Sequence, residues 1–177
     1  MTDPLSPSDI DWLAQWARLS PKAHALKDVE SDVSYSYHEL YHLSCETADD
    51  LLSRGLKKGD RIGMLATNEI EAVVLFFACL RLGCVLVPIN FRLTAREITH
   101  VLNDSEPTLL ISQKAFDKTL AAVETLRSSR LAFEDFQKFV GEKLSEFRGD
   151  STRVTTKRPI QTTANDPCMI LYTSGTT

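Results

Sequence analysis

The chain has 177 residues, of which 43% are hydrophobic and 25% charged, with a formal net charge of -4. This balance excludes an intrinsically disordered chain and gives no overall basic footprint for nucleic acid or an acidic membrane. The longest mostly apolar run, Ala72 to Leu82, is too short to span a bilayer and carries Arg81 near its end.

Residues 1–22 read as a polar start followed by a short helix, with Ser8 as its cap and Ile10, Leu13, Ala14 and Ala17 at helical spacing. Residues 23–29 and 33–35 read as two short strands about a tight acidic turn. Ser36-Tyr37-His38-Glu39 has the form of a capping box, and Leu40, Leu43, Thr47, Ala48 and Leu51 then mark one helical face that ends at Gly55. A strand over 61–66 leads to a second capping signal, Asn68 with Glu71. The helix predicted over 69–82 is apolar nearly all round, so it is expected to be buried on more than one side. Gly83 ends it, and 84–89 is a continuous apolar strand.

The unit then recurs. Thr94-Ala95-Arg96-Glu97 is a third capping box with Ile98, Val101 and Leu102 facing inward, and Pro107 opens a strand over 108–112. A helix is expected from Gln113 to about Leu126, with Ala115, Phe116, Thr119, Leu120 and Val123 on one stripe. An amphipathic helix comes next over 134–147, then a connecting segment over 149–164 and a last strand over 168–171. Strands that are apolar throughout and alternate with helices predict an α/β fold: a mostly parallel sheet of βαβ units covered on both faces. Sheet order is not encoded in this pattern.

Several chemistries are excluded by spacing. Gly55, Gly59 and Gly63 precede and enter a strand, where a dinucleotide-binding turn must come after one. No G-x-x-x-x-G-K-[ST] phosphate loop occurs. His38-Glu39-Leu40-Tyr41-His42 matches the bare H-E-x-x-H spacing, but a zinc site is not expected there, since Glu39 also completes the Ser36 capping box. Ser174 is preceded by Tyr172 where a nucleophile elbow needs glycine. Cys45, Cys79, Cys84 and Cys168 form no C-x-x-C pair, and three of them lie in apolar or helix-patterned runs, as reduced thiols do. The N-terminus lacks the basic-then-apolar order of a signal peptide, so a cytoplasmic protein is expected.

The closing residues carry the chemistry. Tyr172-Thr173-Ser174-Gly175-Thr176-Thr177 comes directly after the strand-like run Cys168-Met169-Ile170-Leu171. Hydroxyl donors around a glycine at the carboxyl end of a strand suit an anion such as a phosphate, because Gly lets successive N–H groups converge on one oxyanion. Taken alone, the string is equally consistent with an ordinary turn.

The run Ile170 to Thr177 resembles the first half of the phosphate-binding signature of adenylate-forming enzymes, the AMP-binding superfamily. Upstream, Gly59-Asp60-Arg61-Ile62-Gly63 with Asn68-Glu69 is similar to that family's first βα step. The run Leu82 to Thr94, with Glu97, Leu102 and Asn103-Asp104-Ser105, resembles its next segment closely. The likeness covers about 25–177 and is poor over 128–163, where the family's usual strand and glycine turn are not visible. Thr176 and Ile89-Asn90-Phe91-Arg92 favour the acyl-CoA synthetases over amino-acid-activating domains, with luciferase-like oxidases as a lesser alternative.

The resemblance implies that residues 1–177 are the first portion of the family's large N-terminal domain, with 168–177 supplying a strand and half of the phosphate loop. It implies activation of a carboxylic acid by ATP with Mg²⁺, then thioester formation with CoA, in a longer enzyme. Thr173, Ser174, Thr176 and Thr177 would offer hydroxyls and Gly175 a close backbone approach to the β- and γ-phosphates. No catalytic or metal-ligating residue is expected within the chain, none of these ligands is expected to bind it tightly, and it is expected to be inactive alone. Its expected partners are the rest of its own polypeptide and, through the apolar elements 69–82 and 168–171, further copies of itself; nucleic acid is not among them. Two alternatives stay open: an amino-acid or aryl-acid adenylation domain, and a truncated, non-catalytic α/β binding module.

Overall fold

The computed structural model describes residues 11–29, 32–123, 127–150 and 162–173. Helix α1 (Trp12–Leu19) opens the described chain, capped by Asp11, whose carboxylate accepts from the Ala14 amide at 3.0 Å. The cap is thus Asp11; the expected Ser8 lies outside the described residues. Strands β1 (His24–Lys27) and β2 (Ser34–Ser36) pair antiparallel, as the two apolar runs about an acidic turn predict.

Helix α2 (Tyr37–Ser53) begins at the Ser36–Glu39 capping box, with the Ser36 amide donating to Glu39 Oε2 at 2.7 Å and the Glu39 amide to Ser36 Oγ at 3.3 Å. The alternation then runs β3 (Arg61–Leu65), α3 (Ile70–Leu82), β4 (Val85–Pro88), α4 (Ala95–Ser105) and β5 (Leu109–Ser112). The Thr94–Glu97 capping box at the start of α4 is also formed. The Asn68 cap of α3 is not: Glu69 occupies the N-cap and gives no side-chain cap bond, because its carboxylate is engaged by Thr67 and Gln113.

After β5 the expected long helix is instead a 3₁₀ turn (Lys114–Phe116) and then the short α5 (Asp117–Ala121), and Ala115 of the predicted inner stripe is exposed. The next strand, β6 (Ser129–Ala132), is absent from the sequence expectation and leads into α6 (Phe133–Gly149). β6 pairs parallel with β5 and is half exposed, so it carries little of the apolar signature by which a buried strand is read.

Four parallel strands form the main sheet in the order β4-β3-β5-β6. Successive side chains point to opposite faces of a strand, and both faces are covered. Ile62, Leu86, Leu109 and Ile111 pack with α2, α3 and α6 on one side. Leu65, Val87 and Leu110 pack with Ile98, Val101 and Leu102 of α4 and with Leu120 of α5 on the other. The apolar helix α3 is held between the sheet and α2, and none of its residues is exposed. It is buried on more than one side, as its all-round apolar pattern predicts, and so is not the exposed surface for further copies expected of 69–82. Cys45, Cys79 and Cys84 are buried thiols outside any disulfide, and Cys168 is half-buried. His38 and His42 flank Phe147, one edge-on at 5.0 Å and the other stacked at 4.3 Å, so the pair serves aromatic packing.

Candidate functional site

Residues 162–173 are fastened to the sheet in steps. The Thr162 hydroxyl donates to the Leu80 carbonyl at 2.7 Å. Asp166 accepts from the Thr163 amide and from Lys58 Nζ, each at 2.8 Å, and these donors draw its carboxyl down to about 2. The backbone then reaches the free edge of β4. The Leu86 amide donates to the Cys168 carbonyl at 3.0 Å, and the Ile170 amide to the Leu86 carbonyl at 2.9 Å. This is a single parallel bridge, Leu86 to Met169, in place of the full strand expected over 168–171.

The bridge sets the course of the next three residues. Ile170 and Tyr172 pack into the core beneath α4, and the Tyr172 hydroxyl donates to Asp104 Oδ2 at 2.5 Å. Burial, then the bond to the Asp104 carboxylate, raises the phenol above its ordinary range. Tyr172 thus anchors the chain one residue before Thr173, which is exposed. Of the sequence-predicted phosphate ligands, Thr173 is described and lies beyond the β4 edge. Ser174, Gly175, Thr176 and Thr177 lie outside the described residues.

Leu171 and Tyr172 form one wall of a cleft of about 710 Å³. The other walls come from the β1–β2 hairpin, from Thr67, Asn68 and Glu69 after β3, and from Asn90 after β4. The cleft therefore opens at the carboxyl ends of parallel strands, where α/β sheets place their ligands. Its floor is apolar, through Met64, Val73 and Ile89, and its rim offers hydroxyl and amide groups.

The crevice between β3 and β5, where the strand order reverses, is closed by side chains. Gln113 accepts from the Thr67 amide at 3.0 Å and donates to Glu69 Oε1 at 2.7 Å, and the Thr67 hydroxyl reaches the same oxygen at 2.9 Å. Gln137 of α6 donates to Glu69 Oε2 and Glu71 Oε2, both at 3.3 Å. Tyr35 adds a hydroxyl to Glu71 at 3.4 Å, and burial together with that carboxylate raises its phenol well above the usual range. This network fixes the Thr67–Glu69 rim of the cleft. Sequence reasoning missed it, since Thr67, Gln113 and Gln137 belong to no motif and meet only through the sheet order. Among the described residues, no group of three or more His, Cys, Asp or Glu could hold a metal ion.

Comparison with known proteins agrees with this architecture. The chain is 31% identical over 172 residues to the long-chain-fatty-acid–CoA ligase FadD13 of Mycobacterium tuberculosis, covering 96% of this chain and 33% of that protein. It is 31% identical over 173 residues to a 2-succinylbenzoate–CoA ligase of Oceanobacillus iheyensis, covering 98% and 33%. The chain therefore spans 33% of the length of each of these curated relatives. Among solved structures, the N-terminal domain of FACL13 from Mycobacterium tuberculosis superposes with a TM-score of 0.75 at 27% identity, over 92% of this chain and 40% of that one. The family pattern described as "AMP-binding enzyme" matches residues 13–177, and the chain belongs to that family.

Proposed function

We propose that residues 1–177 are the first part of the AMP-binding domain of a cytoplasmic, ATP-dependent acyl-CoA synthetase. A carboxylate attacks the α-phosphate of ATP, giving acyl-adenylate and pyrophosphate, and the CoA thiol then displaces AMP to form the thioester. Fatty acids are the favoured substrate class. Family membership and the 31% identity to FadD13 support this reading, while the equal identity to a 2-succinylbenzoate ligase keeps aryl acids as the second.

The observation that carries the proposal is the delivery of Thr173 to the carboxyl end of the sheet by the Leu86–Met169 bridge and the Tyr172–Asp104 bond. A loop of hydroxyls starting there would meet a triphosphate at the cleft mouth. Thr173, Ser174, Thr176 and Thr177 would donate to the β- and γ-phosphate oxygens, and Gly175 would let the backbone close on them. Their work is electrostatic: developing negative charge on the leaving pyrophosphate is met by donors already in place. Magnesium would arrive with the nucleotide phosphates and supply further charge neutralisation.

The 177 residues by themselves are proposed to be inactive, since they span 33% of the relatives' length. Pyrophosphate–ATP exchange tests this. The purified 177-residue chain is expected to show none above a Ser174→Ala control, and exchange above that control would overturn the reading.

A further inference from the structure

Both tryptophans of the chain, Trp12 and Trp16, lie on α1. They are 49% and 46% exposed, and Leu19, one turn further on, is 66% exposed. Spacings of four and three residues set these side chains along one side of the helix. Leu13 and Ala17, on the other side, are buried. Neither indole is loose. Trp12 meets Phe77 edge-on at 5.0 Å, and Trp16 stacks on Tyr37 at 5.6 Å. The start of the helix is pinned by Asp11, which bonds Arg81. The stripe is thus presented from a fixed platform.

Its electrostatic setting differs from that of the chain as a whole, whose net charge is -4. From Trp12 to Lys27 the sequence holds Arg18, Lys22 and Lys27 and no Asp or Glu. Arg18 and Lys22 are exposed, while Lys27 pairs with Asp32 at 2.7 Å. Half-exposed indoles flanked by cations are the combination that settles at an anionic bilayer surface, where indole rings favour the headgroup level and Lys and Arg are drawn to the negative leaflet. A two-fold contact between copies would instead bring Arg18 and Lys22 near their own symmetry mates, which like-charge repulsion opposes.

We propose that α1, through Trp12, Trp16 and Leu19 with Arg18 and Lys22, docks this protein on the surface of an anionic lipid bilayer. The contact is superficial: no helix of the described residues is long and apolar enough to cross a membrane. It uses none of the residues assigned to the phosphate loop, so it stands or falls apart from the adenylating reaction.

Because the chain's two tryptophans both lie in this stripe, intrinsic fluorescence reads this face alone. The 177-residue chain is titrated with vesicles of phosphatidylcholine, and with vesicles that also contain phosphatidylserine. With the anionic vesicles the emission shifts to the blue and is quenched by brominated acyl chains, and both effects fade at about 0.5 M salt. Arg18→Gln with Lys22→Gln lowers vesicle partition about tenfold or more, with lipid-free emission and circular dichroism unchanged. Leu19→Gln weakens partition without altering charge. Emission unmoved by anionic vesicles, or partition that survives loss of both cations, would overturn the proposal. So would an emission shift that tracks protein concentration without lipid, which would assign the face to self-association.

Discussion

Asp11 grips the guanidinium of Arg81 from 70 positions away in sequence, with oxygen–nitrogen distances of 2.9 and 3.2 Å. The same carboxylate caps α1, and Arg81 also donates to Ser44 Oγ at 2.7 Å while its guanidinium lies over the Tyr41 ring at 4.3 Å. One buried cation therefore ties α1, α2 and α3 together. Arg81 is 1% exposed, and removing one partner of such a pair leaves the other's charge uncompensated. Arg81→Ala is expected to cost about 3 kcal/mol or more in urea unfolding. Asp11→Ala combined with Arg81→Ala should cost less than the sum of the two, the mark of a shared interaction.

Gly83 ends α3 with φ of +77°, a left-handed conformation that costs a residue with a Cβ about 1–2 kcal/mol. An added Cβ would also come within 2.8 Å of Lys58 Cγ, whose ammonium holds Asp166. Gly83→Ala should lower the unfolding midpoint by that order. It should also loosen residues 162–173, seen as faster amide exchange at Leu86 and Ile170.

Glu39 links stability to pH. Burial alone would raise its carboxyl; the Arg148 guanidinium at 2.6 Å and the Ser36 amide and hydroxyl outweigh burial and hold it below its ordinary value of 4.5. Its contribution is therefore complete above the ordinary carboxylate range and is lost as pH falls through the depressed folded value. Arg148→Ala should flatten that acid limb. The loss at neutral pH should be about 1 kcal/mol or less, since Arg148 is half exposed.

The four cysteines should alkylate in two classes. Burial holds the Cys84 thiol up at about 12, with Asp60 adding to the shift, and it raises Cys79 well above its usual value. These stay protonated at neutral pH, and the thiolate is the nucleophile. Mass spectrometry after brief treatment with iodoacetamide should find Cys168 modified first. Cys45, Cys79 and Cys84 should react only on unfolding.

Much of this arrangement is legible in residue order. Two capping boxes, at Ser36 and Thr94, start α2 and α4 where their hydroxyl–glutamate spacing predicts, and the uninterrupted apolar strands announce a sheet covered on both faces. What escapes is set by tertiary partners. β6 is an edge strand whose first two residues, Ser129 and Arg130, are exposed, so it lacks an apolar run. Asn68 looks like a cap, but its neighbour Glu69 takes the N-cap and spends its carboxylate on Thr67 and Gln113. The stretch 168–171 reads as a strand, yet only Met169 bridges to Leu86. The phosphate loop is legible only as a resemblance, because hydroxyls around a glycine also suit an ordinary turn. Tyr172 is a tyrosine in a motif until Asp104, 68 residues away, shows it to be an anchor.

The central claim is that the hydroxyl loop starting at Thr173 positions ATP for attack by a carboxylate. Its most direct test is acid-dependent pyrophosphate–ATP exchange by the protein translated from the whole reading frame that contains these residues, comparing the unaltered sequence with Ser174→Ala. Exchange that requires a fatty or aryl acid, and that falls about 100-fold when the hydroxyl is removed, is the predicted result. Exchange that Ser174→Ala leaves unchanged, or that responds only to amino acids, would contradict it.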